Sequence, residues 1–540
     1  MSRREPEGGL RVMDLSMAEQ HELLSKKISR RAVLRGGAIG LGAALVEQSL
    51  VSCGGSRAIS RAHPGTIPRI ASKPLFGRSG APGGRHLSFG PDPTTQMRLA
   101  WQVATPVRRP FIRVGSTDGT LGNLVPAQIR ALTTRVPDLG ASHTQYYIHA
   151  EIDGLSPGTE YVYAVGHRNF SSAQWLKAST ASFRTAPSTT RAASPFTFTA
   201  FGDQGTNQHA RASMALVASQ RPAFHLLAGD IAYADGTGRG RAPAAAQDAT
   251  HDLFQPLMWN RYFAGIDGVA STVPWMVTAG NHDMEAAYAA DGYGGLRDRF
   301  MFPRNGPQQC PTVYSFVYGN VGVISLDAND VSFEIRANLG YSGGAQTRWL
   351  DKELATLRSN RRVDFIVVFF HHCAYCTGRT HGSEGGVRKA WVPLFDRHRV
   401  DLVINGHNHL YERTDPLRGG AVSNPAPPGS TIRPDVDGTT YVTAGGGGRD
   451  VGHFSVANSF AGQKSHVDQI RSQVWNDVGS LGHQDVSWSR TRYAGFSLIS
   501  VEVEPAAAGQ RTTMTVKALA ENGQQLDRLH MQRTAGLRGT

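Results

Sequence analysis

Four cysteines in 540 residues are too few for a disulfide framework, so stability has to come from a packed core. Runs of one charge are missing as well. The formal net charge is +13, yet no block of about five or six like charges occurs, and no Arg-rich patch carries interleaved aromatics. The basic balance therefore reads as scattered surface charge, and a nucleic-acid partner is not expected. The apolar stretch near the N-terminus, Gly36 to Val46, is shorter and richer in glycine than the ~20 apolar residues a bilayer span requires. What is present is ordinary for a globular chain: 40% hydrophobic and 18% charged residues, enough for a sizeable core. The length points to two or three domains, and 61 glycines point to many loops and turns.

The N-terminus reads as an address. Ser29-Arg30-Arg31 with Leu34 and Arg35 forms a twin-arginine pattern, and the weakly apolar stretch follows it. Leu50-Val51-Ser52-Cys53 then resembles a bacterial lipobox. Residues 1–53 are expected to be a twin-arginine signal, and the chain to be exported, secreted or attached to the cell envelope. Membrane contact is expected only through lipid on Cys53. Residues 54–84, rich in Gly, Pro, Ser, Arg and Ala, read as a linker.

From 85 to 190 short alternating strands replace any helical period. Met97–Val103 and Tyr146–Ile152 alternate apolar and polar residues, with turn residues at 115–116, 118–119 and 156–158. The run from Leu155 to Val165, with Pro157, Gly158 and Tyr161, resembles the corner of a fibronectin type III domain, in which a tyrosine hydroxyl closes the turn. This part is read as a structural, fibronectin III/Ig-like all-β sandwich.

The pattern changes at 195–535. Five apolar strands each end in clustered Asp, Asn and His: 196–201 before Gly202-Asp203-Gln204-Gly205, 224–228 before Gly229-Asp230-Ile231-Ala232-Tyr233, 273–279 before Gly280-Asn281-His282-Asp283, 364–370 before His371-His372, and 400–405 before Gly406-His407-Asn408-His409. In α/β sheets the edge where strands stop collects site residues. Carboxylate, imidazole and amide oxygen suit Fe, Mn and Zn, and sulfur is absent from the set. A carboxylate that bridges two cations fits a clamp for in-line phosphoryl displacement. A helix with apolar spacing is expected around Gln346, Leu350 and Leu354. The four glycines at 445–448 read as a tight turn. Cys373 and Cys376 are read as a loop disulfide, with a redox pair or plain packing as alternatives.

These motifs resemble the calcineurin-like metallophosphoesterases, and more narrowly the purple acid phosphatases, over roughly 85–535. Most of that superfamily has Asp-x-His in the first motif. Here it is Asp203-Gln204-Gly205, and Tyr233 stands three residues after Asp230, where the purple enzymes carry the tyrosine that replaces that histidine. The resemblance implies an α/β catalytic fold, a four-layer α-β-β-α sandwich. It implies Asp203, Asp230, Tyr233 and His409 around Fe(III), with Asp230 bridging. Asn281, His371 and His407 would complete a site for divalent Fe, Zn or Mn. His372 falls outside the motif and reads as a loop residue. His282 and His381 would face the substrate phosphate, with His381 as general acid and His282 as the alternative; Glu384 matches a further substrate-facing position. Thr380 departs from the plant pattern, which has a second histidine there. The implied activity is hydrolysis of a small phosphate monoester by a metal-bound hydroxide. A phosphodiesterase or phospholipase on the same core is the alternative, and a non-catalytic surface binding protein the rival outside enzymes.

Overall fold

The structure is a computed structural model that describes residues 81–136, 141–188, 194–239, 255–285, 288–454 and 460–536. The signal, Cys53 and nearly all of the linker lie outside the described residues. No helix among them is long and apolar enough to cross a membrane.

The first part is an antiparallel β-sandwich. One sheet orders the strands Gly83–Phe89, Met97–Val103, Ala141–Ile152 and Gln128–Val136; the other orders Asn123–Pro126, Phe111–Gly115, Glu160–Gly166 and Ala181–Arg184. Alternation makes the inner faces apolar, and Leu87, Leu99, Trp101, Ile112, Tyr163 and Phe183 fill the core between them. The corner forms as expected: the Tyr161 hydroxyl accepts the Ser156 backbone N–H at 2.8 Å. Among the described residues, the one departure from the all-strand expectation is a six-residue helix, Ala173–Ala178, capped by the Ser172 side chain.

Arg85 pins the sandwich to the α/β part that follows it. Its guanidinium Nη2 lies 2.8 Å from Asp267 Oδ2 on the helix Leu257–Ala270, and both side chains are fully buried. Asp267 also accepts the Arg85 backbone N–H at 2.6 Å. Removing one partner of such a pair leaves an uncompensated buried charge, so Asp267→Ala is expected to destabilise the chain by about 3–5 kcal/mol. A chemical denaturation curve checks this; a midpoint equal to wild type would refute the pinning role.

The second part packs two sheets face to face with helices outside, the four-layer α/β sandwich expected. One sheet orders Trp275–Val277, His225–Leu227, Phe196–Phe201, Ser497–Glu504, Arg511–Ala520, Gln525–Thr534 and Thr431–Ile432. The other orders Tyr314–Tyr318, Val321–Ser325, Phe365–Phe370, Leu402–Asn405, Thr440–Ala444, Tyr411–Thr414, Ser489–Ala494 and Gln463–Ser465. In the first sheet the three strands at one edge, Trp275–Val277, His225–Leu227 and Phe196–Phe201, are parallel, and in the second the four strands from Val321–Ser325 to Thr440–Ala444 are parallel; buried on both faces, strands such as Phe365–Phe370 read as unbroken apolar runs. In Phe365–Phe370, Val367 and Phe369 face the space between the sheets, whereas Ile366, Val368 and Phe370 face the helix Ala345–Ser359 and its neighbours. That helix buries Gln346, Leu350, Leu354 and Leu357 along one stripe, as its spacing predicts.

Candidate metal centre

The five motif loops meet where the parallel strands of both sheets end. Two groups of donor atoms result. In the first, the Tyr233 hydroxyl lies 3.1 Å from Asp203 Oδ1 and 3.0 Å from His409 Nε2, and His409 Nε2 lies 3.4 Å from Asp203 Oδ1. In the second, His371 Nε2 lies 3.0 Å from Asn281 Oδ1, 3.2 Å from Asp230 Oδ2 and 3.1 Å from His407 Nδ1. His407 joins the two groups, because its backbone N–H donates to Asp203 Oδ2 at 2.8 Å while its ring reaches the second group.

The surroundings decide which atoms carry lone pairs. His371 Nδ1 faces the Ala228 carbonyl at 2.8 Å and His409 Nδ1 faces the Asp450 carbonyl at 2.7 Å. A carbonyl only accepts, so both Nδ1 atoms carry the hydrogen and both Nε2 atoms present lone pairs inward. Asn281 gives its amide N–H to the Gly238 carbonyl at 3.0 Å, which turns its oxygen inward as well. Acceptors converging on acceptors at these distances call for positive charge between them. Without a cation the centre answers with a proton: burial opposes charge on His371, but Asp230 outweighs it and lifts the imidazolium to about 10. Oxygen and imidazole donors in two adjoining groups fit a pair of cations, and Asp230, His371 and His407 lie close enough to share one.

The backbone at this centre is strained. Asp203 (φ 62), Asp230 (φ 51), Tyr233 (φ 53) and His407 (φ 66) all adopt the left-handed conformation. Residues held this way cost of order 1–3 kcal/mol each and persist only where the surroundings over-determine them. Two clamps do so. The Asp283 carboxylate accepts the Gly280 N–H at 2.8 Å and the Ile231 N–H at 3.1 Å, tying two motif loops together. Burial, then Asp230, pushes the Asp283 carboxyl up to about 7. Gly280 lies so close that a Cβ there would stand 2.1 Å from Asp230 Oδ1.

Beside the donors, His282 gives Nδ1–H to the Asp235 carbonyl at 2.7 Å, and its buried Nε2 has no hydrogen-bond partner among the described residues. Burial is the main cause that lowers this imidazolium to about 4, so the ring is neutral near pH 7. His381 packs against His407 with centroids 3.9 Å apart and ring planes tilted by 35°. Its Nδ1 lies 2.6 Å from Glu334, a residue without a motif signal that sequence reasoning missed. Burial opposes the charge on His381, and Glu334 raises it above the ordinary histidine value. Arg449, also outside every motif assignment, holds its guanidinium 4.6 Å above the Tyr233 ring. His372 is fully buried, 4.3 Å from the His407 ring, with no hydrogen-bond partner for either nitrogen among the described residues.

Two expectations change. The Glu384 carboxylate does not face the substrate space: it accepts the Ser332 hydroxyl at 3.0 Å and the backbone N–H groups of Phe333 at 2.8 Å, Glu334 at 3.1 Å and Gly386 at 3.0 Å. Its oxygens are occupied by that loop, and it reaches the centre only through Glu334. Cys373 and Cys376 are separate thiols, not a disulfide. Cys373 Sγ donates to the Gly406 carbonyl at 2.9 Å and Cys376 Sγ accepts the Gly378 N–H at 3.2 Å, so both thiols pack the loops beside His371 and His407.

Comparison with known proteins finds two family models along the chain. A model described as the N-terminal domain of purple acid phosphatase matches residues 82–185, and one described as calcineurin-like phosphoesterase matches residues 196–411. An uncharacterized protein of Mycobacterium tuberculosis is 32% identical over 94% of this chain and 96% of its own length. Purple acid phosphatase 21 of Arabidopsis thaliana is 27% identical over 63% of this chain and 67% of its own. The solved structure of a purple acid phosphatase from yellow lupin seeds is similar in fold, with a TM-score of 0.63 at 19% identity over 84% of this chain and 75% of that one.

Proposed function

Because this chain belongs to the purple acid phosphatase family of calcineurin-like metallophosphoesterases, we propose that it hydrolyses small phosphate monoesters at a centre holding Fe(III) and a divalent ion. Metal-dependent phosphoester hydrolysis is the family's chemistry. Asp203, Asp230, Tyr233 and His409 would hold Fe(III), and Asp230, Asn281, His371 and His407 the divalent Fe, Zn or Mn. The observation that carries this reading is the pair of inward-facing donor groups that share the strand-end edge. When bound, two cations supply neutralisation of the phosphate oxygens and an acidified water as nucleophile.

The chain's own groups supply the rest. His282 Nε2, buried and without a hydrogen-bond partner among the described residues, is available to a phosphate oxygen. His381, oriented through Nδ1 by Glu334, keeps Nε2 for the leaving-group oxygen as it gains its proton. The strained Asp203, Asp230 and Tyr233 backbones keep the donors in place before substrate arrives, so little reorganisation remains at the moment of reaction.

One observation favours a second reading, a phosphodiesterase. The Glu334 carboxylate, lying beside His381 and His407, disfavours a dianionic monoester more than a monoanionic diester. Mono- and bis-p-nitrophenyl phosphate separate the two. We expect two metal equivalents per chain, iron among them, and a higher kcat/KM on the monoester. A preference for the diester would replace the monoesterase reading, and a metal-free, inactive protein would end both. The proposed exported setting rests on Ser29-Arg30-Arg31 and Cys53. Changing both arginines to lysine is expected to retain the protein inside the cell; unchanged export would refute it.

A further inference from the structure

Glu334 stands on a connection with no motif of its own, between the short turns Ala328–Asp330 and Arg336–Asn338. Its side chain is about one-tenth exposed. Oε2 lies 2.8 Å from His407 Nε2, and Oε1 lies 2.6 Å from His381 Nδ1. One carboxylate thus spans two imidazoles that lie against each other, their planes tilted by 35°. An ionised carboxylate only accepts hydrogen bonds, so the ring nitrogen facing it must carry the hydrogen. For His407 that places the hydrogen on Nε2 and the lone pair on Nδ1, the atom 3.1 Å from His371 Nε2 in the second donor group.

This arrangement is built. The Glu384 carboxylate accepts the backbone N–H groups of Phe333 and Glu334 as well as the Ser332 hydroxyl. The Ser332 hydroxyl oxygen accepts the Ile335 N–H at 3.0 Å. From the other side Arg336 donates to the Asp477 carbonyl at 2.7 Å, tying the connection to the hairpin of strands Ile470–Trp475 and Leu481–Val486. Two other segments of the chain, at Glu384 and at Asp477, therefore hold the Glu334 connection in place beside the two rings.

We propose that Glu334 is a positioning residue of the metal centre: it fixes the His407 tautomer that presents Nδ1 to the divalent ion and orients His381 over the same ring. The inference rests on the ligand assignment above. An acceptor that fixes a ligand imidazole is worth roughly 10–100-fold in metal affinity or activity. A glutamine there can accept from only one of the two rings, since its amide nitrogen donates.

The test is chelator competition on the purified, metal-loaded full chain, with metal content read by elemental analysis. In Glu334→Gln one of the two metal equivalents is expected to leave at roughly 10–100-fold lower chelator than in wild type, while the other stays. In Glu334→Ala, added formate is expected to restore retention, because a free carboxylate fits where the side chain was removed. The melting temperature of the metal-free proteins is expected to be the same in all three. Unchanged retention in both variants overturns the inference. So does a loss of both metals together with a lower metal-free melting temperature, which would assign Glu334 to the fold. A third metal equivalent in wild type that Glu334→Gln lacks would make Glu334 a ligand and overturn the positioning role. Two metals in wild type with unchanged variants refutes this inference alone, whereas a wild type that holds no metal refutes the ligand assignment and this inference together.

Discussion

Replacing Asp230 with Asn is expected to lower turnover by roughly three orders of magnitude, about 4 kcal/mol of transition-state stabilisation, in a chain that still folds. The fold should tolerate the change for two reasons. Asparagine has the shape of aspartate, and it accepts the left-handed backbone that Asp230 adopts at φ 51 better than almost any other residue. The amide oxygen can still accept the His282 N–H, now 2.9 Å from Asp230 Oδ1. The chemistry should not tolerate it. An amide N–H in the place of Oδ2 would point a donor at His371 Nε2, 3.2 Å away. That satisfies the imidazole lone pair internally and removes the anionic lone pair the two donor groups would share. Steady-state rates and metal content check this together. A kcat within tenfold of wild type, with both metals retained, would remove Asp230 from the bridging role.

The second large effect is spectroscopic. Tyr233→Phe is expected to abolish the visible charge-transfer band of the holoprotein and to cut iron retention at least ~10-fold, about 1.4 kcal/mol. The ring itself stays, so the packing against His282 and the stacking of Arg449 are preserved. What disappears is the hydroxyl between Asp203 and His409. Burial, followed by Asp203 and Asp230, holds that phenol well above its usual range in the absence of a cation. Ionising it therefore requires a strongly charged metal, and iron uptake should release a proton there. Iron loading of wild type is accordingly expected to weaken as pH falls, and the Phe variant to show less of that dependence. A variant that stays coloured would refute Tyr233 as the phenolate ligand.

Much of this centre was legible in the linear chain. Phe365–Phe370 and Leu402–Asn405 are buried on both faces, so they appear as unbroken apolar runs, and a polar cluster at the end of such a run marks the edge of a sheet. Gly205 in place of the superfamily's histidine, with Tyr233 three residues past Asp230, was visible through the resemblance to the purple acid phosphatases. The sandwich strands followed from period-two alternation and turn residues, which are local properties, and the Tyr161 corner from the resemblance of Leu155–Val165 to a fibronectin type III corner.

Other features depend on contacts between distant segments. Glu334 lies 47 residues from His381 and 73 from His407, and no local pattern separates it from a solvated loop glutamate. Glu384 stands at a motif position, yet whether its carboxylate meets substrate or a backbone depends on how residues 332–334 pass over it. The thiols of Cys373 and Cys376 lie beside each other without a disulfide, Cys373 on the Gly406 carbonyl and Cys376 on the Gly378 N–H, which the sequence spacing alone does not reveal. By itself, then, the sequence determined the strands, the donor types and their order, because burial on two faces and ligand chemistry are written residue by residue. Only the tertiary structure decided the left-handed backbones at Asp203, Asp230, Tyr233 and His407, the hydrogen positions on the imidazoles and the role of Glu334. Each of these is imposed by groups that meet only when the two sheets pack.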